Sequence, residues 1–149
     1  MHIKKIYNLG KNELYPICRS ITGDGVRKTL KIIKNYFPKL KIYEIPSRTK
    51  VFNWIVPPEW NIKDAFVLDK DNKKIIDFNK NNLHLVSYSI PVNKVFKKRK
   101  LFKHIYSLPN LPNAIPYITS YYKKHWGFCI SHYEKNYMKK NIIIMTILK

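Results

Sequence analysis

"FVLDKDNKKIIDF", Phe66 to Phe78, holds two short apolar-rich runs on either side of a charged break at Lys70 to Lys73. That pattern reads as a β-hairpin. The theme repeats on both sides. "KIYEIP", "KVFNWIV", "DAFVLD", "KIIDF" and "LHLVSYS" read as strands, and "PSRT", "PPEWN", "KDNK" and "NKNN" read as the breaks between them. Five strands this closely spaced imply a mainly antiparallel, β-rich unit from Leu40 to Ser89.

The chain before this unit has a different period. In "PICRSITGDGVRKTLKIIKNYF", Pro16 to Phe37, the residues Val26, Leu30, Ile33 and Phe37 form one stripe, while Arg27, Lys28, Lys31 and Lys34 take the other side. This is an amphipathic helix, with Asp24 as its expected N-cap and Pro38 as its stop. Beyond the strands, "KKRKLFKHIYSL" predicts a short helix with Leu101, Ile105 and Leu108 inward, "LPNLPNAIPY" an extended loop, and "HWGFCIS" another strand. The tail "YEKNYMKKNIIIMTILK" predicts a short helical piece and a last strand. That strand is apolar on every face and needs neighbours on both sides. The fold class is α+β.

Composition narrows the function classes. The 149 residues are enough for one domain or one and a half, and 45% hydrophobic with 14% aromatic residues argues for a packed core. The charge-interrupted opening predicts no secretory leader, and "IIIMTIL" is far short of the roughly 20 residues that span a bilayer. A cytoplasmic protein without a membrane segment is expected, with Cys18 and Cys129 as free thiols. The net charge of +20 is nearly all lysine, since Arg19, Arg27, Arg48 and Arg99 are the only arginines. The lysines are scattered, with one concentrated run, "KVFKKRKLFKH", Lys94 to His104. A solvated surface in a lysine-biased chain is the expected reading, and a nucleic-acid site is its alternative.

The two glycines around Asp24 invite a nucleotide-loop reading that their spacing defeats. A phosphate loop needs Gly directly before Lys and Thr, whereas Arg27 precedes Lys28 and Thr29. A dinucleotide fingerprint would need a third glycine at Lys28 and a strand in front. A tight turn into a capped helix is the simpler reading. The alternative is a carboxylate or phosphate cradle made by Arg19, Ser20, Thr22 and the first N–H groups of the helix. His125, Cys129 and His132 do not make a metal set, because on a strand the first two stand about 13 Å apart and the third points the other way. Trp54, Trp60 and Trp126 are expected in core and sheet packing rather than as base-stacking platforms. No complete catalytic apparatus is legible.

Longer strings say more. "YPICRSITGDGVRKTLKII", "KVFNWIVPPEWNIKDAFV", "IIDFNKNNLHLVSYSIPV" and "LPNAIPYITSYYKKHWGFCIS" resemble, in order, the N-terminal portion of a bacterial zinc aminopeptidase-like family, polysaccharide biosynthesis proteins with an aminopeptidase-like domain. The resemblance implies an α/β metallopeptidase domain interrupted by an inserted, jelly-roll-like β-rich domain. Residues 1–39 would be the N-terminal helical segment of the former, 40–120 the insertion, and 121–149 the truncated return. It implies zinc and a peptide or amide substrate for full-length relatives. The family's His-x-Cys-His-Pro and Asp-Asn-Leu-Ser-Gly stretches are absent from this chain, and "NYMKKNIIIMTILK" stops resembling the family. The expected function is therefore an N-terminal piece of such a hydrolase, inactive alone and completed by the missing C-terminal part. Within it Arg19, Ser20, Thr22 and Asp24 would contact substrate. The alternatives are a stand-alone β-rich glycan- or peptide-binding module and a basic nucleic-acid-binding protein.

Overall fold

The hairpin forms where the alternation places it. In the computed structural model, which describes residues 3–140 and 143–148, β3 (Asp64–Asp69) pairs antiparallel with β4 (Lys74–Asp77). Ala65 and Val67 are fully buried while Asp64, Phe66 and Leu68 are half-buried, the period-2 pattern that puts one face on a core. The Asp69 carboxylate closes the turn by accepting from the backbone N–H groups of Asp71 and Lys73, each at 2.9 Å. Asn72 sits at φ +60, a position that Asn tolerates.

The described chain divides into two compact units, residues 1–61 and 62–149. In the first, α1 (Ile3–Asn8) runs on into a wider helical turn over Leu9–Leu14, and α2 covers Asp24–Tyr36, ending just before Pro38. A two-residue turn joins the short strands β1 (Lys50–Val51) and β2 (Trp54–Ile55). The segment "KIYEIP" does not become a strand. It stays extended and unpaired, and its isoleucines are used as a wall rather than in a ladder. Only Leu9, Gly23, Val56 and Pro57 are buried among the described residues of this unit.

The second unit carries the core. Its main sheet has the order β4-β3-β8-β5, where β5 is Asn93–Lys94 and β8 is Ile143–Leu148, and every pairing is antiparallel. The last strand lies between two neighbours, as its all-apolar sequence requires. β6 (Ile105–Tyr106) and β7 (Phe128–Cys129) form a separate parallel pair. α4 covers His132–Lys140, and Ser131 begins it with a capping box, its hydroxyl and N–H both meeting the Glu134 carboxylate.

Two expectations are corrected here. "LHLVSYS" is not a strand: a short helical turn at Asn82–His84, held by the Asn81 side chain, leads into a fully buried run from His84 to Ser89. That run bonds alternately to residues 118–120 and 127, and Tyr88 at φ +64 interrupts any regular ladder. The helix expected over "KKRKLFKHIYSL" is confined to α3 (Lys98–Leu101) and a following tight turn, Phe102–His104, because Ile105 and Tyr106 leave it to pair with β7. Leu101 and Ile105 are buried as expected, but Leu108 is 39% exposed. Among the described residues the elements form an α+β fold, and no helix is long and apolar enough to cross a membrane.

Candidate functional site

The start of α2 is built by two distant pieces of chain that glycines allow to approach. Gly23, at φ +102, adopts a backbone that other residues avoid, and a Cβ there would collide with the Trp60 carbonyl and the Asn61 side chain. At Gly25 a Cβ would collide with the Cys18 carbonyl. The "GDG" of the opening turn is thus a steric requirement.

Asp24 is not the N-cap. Gly23 takes that place and Asp24 is the first helical residue, so its carboxylate cannot curl back onto the helix start. The missing acceptor comes from elsewhere: Asn61 Oδ1 accepts from the Asp24 N–H at 2.8 Å. The Asn61 amide in turn donates to Glu59 at 3.2 Å. Glu59 receives a two-pronged contact from Arg27, Nη1 at 2.5 Å and Nη2 at 2.8 Å. The same guanidinium reaches Asp24 at 3.2 Å and Glu44 at 3.7 Å. Arg27's hydrogen bonds, reinforced by Asn61 and by the arginine's charge, hold the Glu59 carboxyl down to about 2, and Glu59 in turn raises the pKa of Arg27.

Beside this network lies a cleft of about 800 Å³, formed entirely within residues 21–59. That size suits a small molecule or a short segment of extended chain. Val26 and Leu30 of α2 form one wall, and Ile42, Ile45 and Val56 contribute to others. Arg27, Glu44 and Glu59 supply its charged margin. The apolar walls can bury side chains while the exposed Glu44 carboxylate offers an acceptor to an amide or ammonium.

The four residues expected to contact substrate lie close in sequence and play different parts. Thr22 lines the cleft, and its hydroxyl donates to the Pro58 carbonyl at 3.2 Å. Arg19 donates to the Leu14 carbonyl at 2.5 Å and reaches Thr29 at 3.4 Å. Ser20 donates to the Thr22 carbonyl. Asp24 meets Arg27, as above. The residues that sequence reading missed are Arg27, which looked like part of a solvated face, and Glu59 and Asn61, which lay in the break "PPEWN". The usable signal was a lone acid and an amide two residues apart in a chain with only 9 acids.

In the second unit the histidines are engaged individually. Tyr106 Oη and His125 Nε2 lie 2.7 Å apart, His132 Nδ1 and Ser107 Oγ 3.0 Å apart, and His84 Nδ1 donates to the Cys129 carbonyl at 2.9 Å. Burial pushes the Cys129 thiol up to about 11 and lowers the pKa of His125, with His104 adding to the latter effect. Among the described residues no three His, Cys, Asp or Glu side chains are placed to hold one metal ion. These described donors do not fit a zinc site.

Comparison with known proteins gives a consistent relationship. A Clostridium acetobutylicum protein described as a polysaccharide biosynthesis protein with an aminopeptidase-like domain is 54% identical over 127 residues, which is 85% of this chain and 29% of that protein. A crystal structure from the same organism, of a protein described as a peptidase, superposes with a TM-score of 0.90 at 48% identity, covering 97% of this chain and 34% of its own. The chain therefore spans about a third of each relative's length. A family model described as a domain of unknown function, DUF2172, matches residues 59–147. The match closely follows the second compact unit and reaches into β8. With more than half of its residues matched by that model, the chain belongs to the DUF2172 family.

Proposed function

We propose that this chain is the substrate-shaping part of an aminopeptidase-like hydrolase linked to polysaccharide biosynthesis. What carries the reading is its 54% identity to a protein described in those terms and its 48% identity to one described as a peptidase. In this reading residues 1–39 begin the peptidase-like domain, residues 40–120 correspond to its inserted, jelly-roll-like domain, and residues 121–149 lead back. The mainly antiparallel pairing of the second unit supports a β-rich insertion. A full-length relative would hydrolyse a peptide or amide bond with zinc held by residues beyond the part matched here. The metal would polarise the carbonyl and lower the pKa of its water. We place the protein in the cytoplasm, where Cys18 and Cys129 stay reduced.

This chain's own contribution is to bind and orient. The cleft beside α2 takes an apolar side chain of the substrate, and Glu44 accepts its N–H or ammonium group. Arg19, Ser20, Thr22 and Asp24 act as positioning residues that hold the cleft wall, through the bonds to Leu14, Pro58 and Arg27. The test is hydrolysis of amino-acid amides by the Clostridium relative and by this chain alone, each with and without a zinc chelator. The relative is expected to release product until chelated, and the chain alone to release none. Chelator-insensitive turnover, or turnover by this chain alone, would overturn the reading. In a complete relative, the substitution equivalent to Arg19→Ala is expected to raise KM with zinc content unchanged, and unaltered kinetics would remove Arg19 from the site.

A further inference from the structure

No Asp or Glu occurs between Asp77 and Glu134, although that span contains 9 of the chain's 29 lysines and arginines. In the fold two groups of these positive residues come together. His104 stacks on Trp126 with ring centroids 3.7 Å apart and lies 5.6 Å from His125, so the turn carrying Lys97, Arg99, Lys100 and Lys103 is pinned beside the segment carrying Lys123 and Lys124. These six side chains are exposed, and none has an ion pair, hydrogen bond or ring contact among the described residues. α4 adds further positive charge, because Lys135 donates to the Ile105 carbonyl at 2.6 Å. Burial and the nearby Lys139 both depress the pKa of Lys135, and the one carboxylate of this helix, Glu134, is engaged in capping Ser131. Elsewhere lysine in this protein does find acids: Lys74 lies within 3.6 Å of both Asp64 and Asp77.

We propose that the face formed by the Lys97–Lys103 turn and Lys123–Lys124 binds an acidic polysaccharide, a chain with carboxylates repeated along its length. The choice of a polysaccharide rests on the functional reading above, whereas the choice of a polyanion rests on the geometry. Three features disfavour a nucleic acid. α3 is a single turn and cannot fill a major groove. Arg99 is the only bidentate fork in the face. Of the rings beside the patch, Phe96, His104 and Trp126 pack on one another instead of opening to bases, Trp126 being 8% exposed, which leaves Tyr122 as one exposed ring rather than a stacking platform. Flexible lysine point charges suit a partner whose anions recur without a fixed planar geometry.

The test is a titration of the intact chain with polygalacturonate, duplex DNA and phosphatidylserine vesicles. Polygalacturonate is expected to bind, and its affinity to fall by at least about tenfold between about 50 and about 200 mM salt, as counterion release requires of a multi-charge contact. The variant Lys97→Gln/Arg99→Gln/Lys100→Gln/Lys103→Gln should lose at least about tenfold. A control with the same charge loss, Lys28→Gln/Lys34→Gln/Lys39→Gln/Lys41→Gln, should lose less than about twofold. The independent pair Lys123→Gln/Lys124→Gln should weaken binding as well, which keeps the test decisive if the fourfold variant does not fold. Equal losses in patch and control variants, tighter binding to DNA or vesicles, or no binding to polygalacturonate would each overturn the proposal. The peptidase reading fails or stands separately, on the hydrolysis assay.

Discussion

Asn61 shows how much of the site depends on a single side chain that local sequence rules do not flag. An Asp before a helix is ordinarily read as the cap, yet here Gly23 occupies the cap position and cannot supply an acceptor from a side chain. Asn61 fills that role for the Asp24 N–H. Asn61→Ala is expected to lower stability by about 1 kcal/mol in urea unfolding. Gly23→Ala should cost more, about 2 kcal/mol, because it adds backbone strain to the collision with Trp60. The Glu59 carboxylate makes a prediction in pH. Its pKa falls from 4.5 to about 2 on folding, so its contribution is complete above about 4.5 and is lost as pH falls toward 2. Thermal melts of Glu59→Gln should therefore lie below those of the parent at neutral pH and converge with them near pH 2. A gap that persisted at the acid end would show that Glu59 acts through packing rather than charge.

At the scale of elements, the turn between β1 and β2 is held in an unfavourable shape. Phe52 is its first residue, at φ +52 and 92% exposed. Left-handed backbone costs a non-glycine residue roughly 1–2 kcal/mol, and part of that is returned when Gly replaces it. Phe52→Gly is expected to raise stability by about 0.5 kcal/mol in the same urea experiment. A loss would mean that the ring has a packing role. The last strand makes the opposite case. β8 bonds to β3 along Asp64–Asp69 and to β5 at Asn93–Lys94, so removing residues 143–149 would leave both without their shared partner. Exposed strand edges invite association. The shortened chain should aggregate or melt without cooperativity, and an unchanged melt would refute a central β8. The hairpin, α2 and β8 were legible because periodicity and turn chemistry are local. "LHLVSYS" was not, because its alternation is spent on bonds to residues 118–120 and 127, which no local pattern announces.

Across the whole molecule, burial is uneven. Residues 62–149 contain nearly all of the buried apolar side chains, including Val67, Val86, Leu101, Phe128 and Ile130, whereas residues 1–61 leave Ile3, Tyr15, Tyr43 and Phe52 mostly exposed. Local opening follows the density of buried contacts. Native-state hydrogen exchange should therefore release the amides of α2 sooner than those of β3 and β7, and equal protection would contradict this distribution.

By itself the sequence determined the α+β class, the hairpin at Lys70–Lys73, the extent of α2 and the need of the last strand for two neighbours. It also carried the resemblance to aminopeptidase-like proteins. Each of these follows from residue spacing, or from strings long enough to be specific. Only the tertiary structure decided that Arg27, Glu59 and Asn61 form one network, that "KIYEIP" lines a cleft, and that Lys97–Lys103 stands beside Lys123–Lys124. Those groups are separated by two to three dozen residues, and ion pairing, steric access at glycine and ring stacking act on distance in space.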